Sequence, residues 1–313
     1  MIRYRIYGNK IVGLEECDKL GWPLQGEHFV IPDEEFEKKN FIVYKTVFGI
    51  GDWGIVTAMP RLLKEAYPDC KVYIPSATLL EQTFGFSNRH GSWINPYQVP
   101  TELFKNNPYV DGVVDSWDGE IYHDHFSIYD LNNPFDPLVL QMMRFHRVDI
   151  DVSVDYIPEI YFSDDEVLEF DAVKLKYFGT EKYMAFSASW NHEMLQTIRP
   201  TANKQTATIK IDLLKQLLHA QENWNTIPAL VYNSTGIDFG LNEKLSAKGI
   251  PLRLMLYLIS NATVAVGQQT GIFDTCSRYT NVKVVPHGKD ISIHYLKSIE
   301  YVNLPFDYEN LKL

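Results

Sequence analysis

An apolar strand, a turn of glycines or small polar residues, and an amphipathic helix occur twice in this chain, once from Phe41 and again from Thr263. That succession is the repeating unit of parallel α/β sheets, and its appearance in both halves leaves few alternative architectures. In the first half, Phe41-Ile42-Val43-Tyr44-Lys45-Thr46-Val47-Phe48 is a β-prone run. Ile55, Val56, Met59, Leu62, Leu63 and Ala66 then recur at helical spacing, and Lys71 to Ile74 supplies the next strand. Pro60 lies inside the helical pattern, where it removes a backbone donor, so a kink or a late helix start is expected there.

The acidic stretch Ser163-Asp164-Asp165-Glu166 suits a helix N-terminus, with the helix running to Phe178. The pattern then restarts with strands at 183–187, 229–232, 263–266 and 282–285, and helices at 211–221, 252–260 and 271–279. The expectation is an α/β fold of two Rossmann-like, doubly wound domains facing a central cleft. Residues 1–165 form the N-terminal domain, with a β extension over 1–40 where Ile2 to Tyr7 alternates and Gly8-Asn9 signals a turn. Residues 166–313 form the C-terminal domain, the last of them packing back on the first domain. Residues 84–150 hold many aromatics, prolines and asparagines, as substrate loops over a scaffold do.

Composition excludes several classes. With 313 residues, 45% of them apolar and 13% aromatic, the chain is long and apolar enough for packed cores. The 29 basic and 40 acidic residues give a formal charge of -11, which disfavours nucleic acid as a partner. Cys17, Cys70 and Cys276 are odd in number and far apart, which fits a reducing, cytoplasmic setting and neither a zinc site nor a disulfide framework. The N-terminus lacks the apolar run of a secretory signal. The most apolar stretch, Leu252 to Val266, is shorter than a bilayer span and carries Arg253, which leaves room only for peripheral membrane contact.

Gly49-Ile50-Gly51-Asp52-Trp53-Gly54 has the spacing of a dinucleotide fingerprint, whose glycines Gly49, Gly51 and Gly54 permit a tight turn and close phosphate approach. The fingerprint also needs a carboxylate at the end of the second strand, and that strand ends in Ile74-Pro75-Ser76-Ala77. NAD is therefore not expected. Asp52 within the turn is either an N-cap or a general base. In the second half, Val266-Gly267-Gln268-Gln269-Thr270-Gly271 leads from a strand into a helix start, where free N–H groups and a hydroxyl suit a diphosphate, or where Thr270 simply caps the helix. Both turns fall at the C-terminal ends of strands, where open α/β sheets bind ligands.

Two segments carry a resemblance to a known family. Phe48-Gly49-Ile50-Gly51-Asp52 with Pro60, Leu63-Lys64, Tyr67-Pro68 and Val72-Tyr73-Ile74 is the first, and Leu256 to Ala262 through Thr270-Gly271 is the second. Together they resemble the glycosyltransferase family nine enzymes, the heptosyltransferase-like members of the GT-B fold. Gln269 and Asp274 stand where that family has an acid and a histidine.

The resemblance implies an inverting, metal-independent glycosyltransferase without a cofactor. It would move a sugar from a nucleotide-diphosphate donor to a glycan, glycolipid or other hydroxyl acceptor, with Asp52 as the catalytic base. It places the donor on Thr270, Gly271 and Gln269, on Arg199 with Lys204 behind it, and on Ser187 in the strand before them; Asn233, closing the strand at 229–232, is a candidate by its position for the donor's base or ribose. By residue chemistry alone, Arg199 is equally an ordinary solvated arginine, and Asn233 to Thr235 an Asx turn. Two further readings remain: a nucleotide-sugar epimerase on the same scaffold, and a degenerate member that binds a nucleotide or glycan without turnover.

Four other groups read as surface features. Asp149-Ile150-Asp151 continues in strict alternation through Asp155 and so lines a strand instead of holding a metal. His123-Asp124-His125 lacks a third ligand with suitable spacing. Arg144, His146 and Arg147 read as a solvated basic patch, as do Arg89 and His90.

Overall fold

The computed structural model describes residues 4–7, 10–13, 40–45, 49–84, 95–118, 138–146, 148, 155–188, 204–286, 296 and 298–302. The chain divides into two compact units, with the change-over between Tyr156 and Ile157.

The first unit opens with a hairpin. β1 (Tyr4–Tyr7) and β2 (Lys10–Gly13) pair antiparallel, Tyr7 opposite Lys10, as the alternation predicts. A parallel sheet follows, in the order β3 (Asn40–Ile42), β4 (Lys71–Pro75), β5 (Gly112–Val114). Two helices join β3 to β4, a short α1 (Ile50–Gly54) and α2 (Met59–Ala66). Pro60 sits in the first turn of α2, where no N–H is required, so the late helix start is the outcome and the four residues before it form turns. α3 (Ala77–Phe84) and α4 (Val99–Leu103) join β4 to β5, and α5 (Leu138–Phe145) follows.

Phe41, Ile42, Tyr44, Trp53, Met59, Leu63 and Val72 are all fully buried in this unit. Asp111 ties its strands together, accepting from Lys64 Nζ at 2.6 Å, Lys71 Nζ at 3.0 Å and the Val72 N–H at 2.8 Å. Burial alone would push the Asp111 carboxyl up, but those three donors outweigh it and hold it down at about 2. His146 corrects an expectation: it is fully buried, edge-on to Phe41 with ring centroids 5.2 Å apart, and belongs to the core instead of a solvated patch. An imidazole packed against an aromatic ring hides its carbon edge from water, which sequence neighbours Arg144 and Arg147 gave no reason to expect.

The second unit is a six-stranded parallel sheet in the order β8 (Asn242–Ser246), β7 (Pro228–Asn233), β6 (Met184–Ala188), β9 (Val264–Gln268), β10 (Asn281–Val285), β11 (Ile299–Tyr301). The chain enters at β6 in the middle, winds out to β8, returns to β9 on the other side of β6 and winds out again to β11. This is doubly wound order, with its switch point between β6 and β9. Among the described residues, the helices of the unit are α6 (Asp164–Phe178), α7 (Lys204–His219), α8 (Leu252–Ser260) and α9 (Gly271–Cys276).

α6 begins with a capping box in which Ser163 and Glu166 satisfy each other's backbone N–H. Glu166 also takes a two-pronged bond from Arg253 of α8, at 3.2 Å and 2.6 Å, with both side chains buried and the guanidinium 4.6 Å from the Phe162 ring centre. Among the described residues, no helix is long and apolar enough to cross a membrane, and no cluster of His, Cys, Asp and Glu has the makings of a metal site.

Candidate functional site

The turn of the first unit is built around a missing side chain. Gly49 is the N-cap of α1 with ordinary extended dihedrals, φ -70° and ψ 141°, so its backbone does not require glycine. Space does. A Cβ on Gly49 would overlap Asp52 Oδ2 and stand 3.4 Å from its Cγ, because the Asp52 carboxylate folds back over the glycine. Asp52 is thus the third residue of α1 and not its N-cap. Gly51 and Gly54 are buried within the same helix.

Behind Asp52 lies Lys45, on the extended segment that continues β3. Its side chain is 1% exposed against 20% for Asp52, and its Nζ stands 4.0 Å from Asp52 Oδ1. Next to Asp52 in the chain, Trp53 is fully buried and its indole Nε1 has no hydrogen-bond partner among the described residues.

The turn of the second unit lies at the switch point. Ser187 on β6 pairs with Gly267 on β9. A Cβ on Gly267 would fall onto the Ser187 carbonyl oxygen and stand 2.8 Å from the Ser187 N, so only glycine lets the two strands approach this closely. Gln269 continues the line of β9, its N–H donating to Val285 O at 3.0 Å. Thr270 is the N-cap residue of α9 by position, yet its hydroxyl makes no capping bond. Both Thr270 Oγ1 and Gln269 Oε1 are buried and unpartnered among the described residues. The Gln269 amide donates from Nε2 to the buried Asp274 Oδ1 at 3.4 Å, which directs Oε1 away from that carboxylate.

The other expected donor residues fare differently. Ser187 is buried, one residue from the end of β6. Asn233 ends β7, but its side chain is committed to an Asx turn. Oδ1 accepts from the Thr235 N–H at 3.0 Å and from its hydroxyl at 2.8 Å, and Nδ2 donates to Ile237 O at 2.8 Å. Lys204 is the first residue of α7, with its side chain outside the described residues. Arg199, Arg89, His90, His123 to His125 and Asp149 to Asp151 also lie outside them. The structure therefore brings Ser187, Gln269, Thr270 and Gly271 to one end of one sheet, and Gly49 and Asp52 to one turn of the other unit. Lys45 is the residue that sequence reasoning passed over. Its signal was a charged side chain inside an otherwise apolar β-prone run, between Tyr44 and Thr46.

No family profile matches this chain, and no curated protein sequence does. Among solved structures it is similar to a glycosyl transferase family 9 protein from Veillonella parvula DSM 2008. The identity is 8% and the TM-score 0.49, over 85% of this chain and 86% of that one. It is also similar to the E. coli ADP-heptose LPS heptosyltransferase II, with 11% identity and a TM-score of 0.47 over 84% and 90% of the two chains. Both scores fall below 0.5, so the α/β architecture with parallel sheets rests on the strand pairings described above.

Proposed function

We propose that this chain is a glycosyltransferase that moves a sugar from a nucleoside-diphosphate donor to a hydroxyl acceptor, with inversion at the anomeric carbon. The observation that carries the reading is the pair of buried, unpartnered oxygens, Thr270 Oγ1 and Gln269 Oε1, at the switch point of a doubly wound sheet. Buried polar atoms without protein partners are rare, and at a switch point a ligand is the natural partner. In this reading the Thr270 hydroxyl donates to a diphosphate oxygen, alongside the free N–H groups that open α9, and Gln269 Oε1 accepts from a sugar or ribose hydroxyl.

The reaction needs a base for the acceptor and a place for the charge that leaves. Asp52 takes the acceptor proton, the freed oxygen attacks the anomeric carbon, the bond from that carbon to the diphosphate oxygen breaks, and the nucleoside diphosphate departs with the electron pair. Arg199 and Lys204 are assigned by the family resemblance to neutralise that charge. The same resemblance assigns residues 166–313 to the donor, residues 1–165 to a glycan or glycolipid acceptor, and no metal to the reaction. A cytoplasmic setting belongs to the same reading, on the odd number and wide spacing of Cys17, Cys70 and Cys276.

The test is a thermal-shift panel of ADP, GDP, UDP, CDP, CMP and NAD, followed by transfer assays with the matching sugar donors. A shift by one nucleoside diphosphate, with acceptor-dependent turnover lost in Asp52→Asn, is the expected result. A shift by NAD alone, or sugar isomerisation without acceptor, would replace this reading with a dehydrogenase or an epimerase.

A further inference from the structure

Lys45 presents a problem of burial. An ammonium with 1% of its side chain exposed has given up its hydration, and such a group persists in a core only where carboxylates or other acceptors replace the lost water. The Asp52 carboxylate lies within ion-pair reach at 4.0 Å. The two oxygens of that carboxylate have different surroundings. Oδ1 turns inward to Lys45, while Oδ2 lies over Gly49, which is exposed and has no side chain to hold it off. A cation fixes the carboxylate from the core side, and an absent side chain makes room for it on the solvent side.

We infer that Lys45 is a positioning residue for Asp52, holding its carboxylate turned so that Oδ2 is the atom that receives the acceptor proton. The inference rests on the reading of Asp52 as the base. Lys45 itself, sealed in the core, does not touch substrate. Its contribution is to orientation, and a base displaced by about 1 Å loses roughly 100-fold in rate. Gly49 is the second half of the same device. Any larger residue there would push Oδ2 out of its place without disturbing the core.

The experiment is a double-mutant cycle in turnover. Release of ADP, GDP and UDP from their hexose and heptose conjugates is followed with simple sugars as acceptors, in the wild type, Lys45→Met, Asp52→Asn and the double variant. Lys45→Met is expected to lower kcat by about 10- to 100-fold with donor and acceptor KM nearly unchanged. In the Asp52→Asn background it is expected to cost nothing further, since the group it positions is already disabled.

A normal kcat in Lys45→Met overturns the inference. So does an undiminished additional loss in the double variant, which would mark a role in packing alone. Full transfer by Asp52→Asn, or a wild type that turns over none of the donors, overturns the reading of the base and the inference with it. Should Lys45→Met fail to fold, Gly49→Ala at the exposed side of the carboxylate carries the test. It is expected to show the same fall in kcat at constant KM, and wild-type kcat in that variant overturns the inference.

Discussion

Thr270 is a polar residue whose buried hydroxyl has no hydrogen-bond partner among the described residues, which makes its substitution informative. Its backbone is extended, at φ -138° and ψ 148°, and accepts a β-branched apolar residue without strain. Thr270→Val is expected to leave the ligand-free melting temperature unchanged or higher, because it removes a buried oxygen with no partner among the described residues. Nucleoside diphosphate affinity should fall by about 1 kcal/mol, or roughly fivefold, read by calorimetric titration. Gly267 behaves oppositely. Gly267→Ala places a methyl group against the Ser187 backbone and should cost about 3 kcal/mol in chemical denaturation, the upper end for an overpacked core. At this scale the sequence pointed to Asp52, Gln269 and Thr270, because turns after strands are marked by residue type. It did not point to Lys45, since a lysine is usually solvated and only packing around it reveals the burial.

Among the elements, those with strong periodicity were legible and those at edges were not. α8 spans Leu252–Ser260, the bounds its apolar pattern predicts, and β6, β7, β9 and β10 lie within two residues of theirs. β8, Asn-Glu-Lys-Leu-Ser, has no apolar alternation because it is an edge strand with one partner, and β11 closes the other edge. The joint between α6 and α8 predicts a large mutational effect. Arg253→Met strands the Glu166 carboxylate in a buried site, and unfolding by urea should show a loss of about 3–5 kcal/mol. Asp111 predicts a dependence on acid. Its carboxyl sits lower in the folded chain than in the unfolded one, so the stability it contributes is complete above its ordinary value near 3.8 and is lost as pH falls towards about 2. Asp111→Asn should flatten that part of the stability–pH profile while costing on the order of 1 kcal/mol at neutral pH.

At the scale of the whole molecule, the α/β class was legible because strand–helix alternation survives translation into a parallel sheet, whereas strand order was not. Nothing in the sequence states that β9 returns to the side of β6 opposite β7. With right-handed crossovers, that reversal of winding puts the helices before and after it on opposite faces of the sheet. It creates the switch point and with it a linkage prediction. A nucleoside diphosphate present at 100 times its Kd should stabilise the folded chain by about 2.7 kcal/mol, and a thermal-shift assay should record a rise of roughly 5–10 °C. CMP and NAD should produce less.

The outward winding of this sheet also sets a schedule. β6 is made first, and the strand that covers its other side, β9, begins only at Val264, after everything from Ser189 onward has been synthesised. At cellular translation speeds that interval lasts roughly 4 to 15 seconds. Throughout it, β6 offers the emerging chain an unpaired row of N–H and C=O groups beside buried-type side chains, open to any other strand that arrives first. Ser187, at the heart of the proposed donor site, therefore lies on a strand whose nascent state invites mispairing on the ribosome.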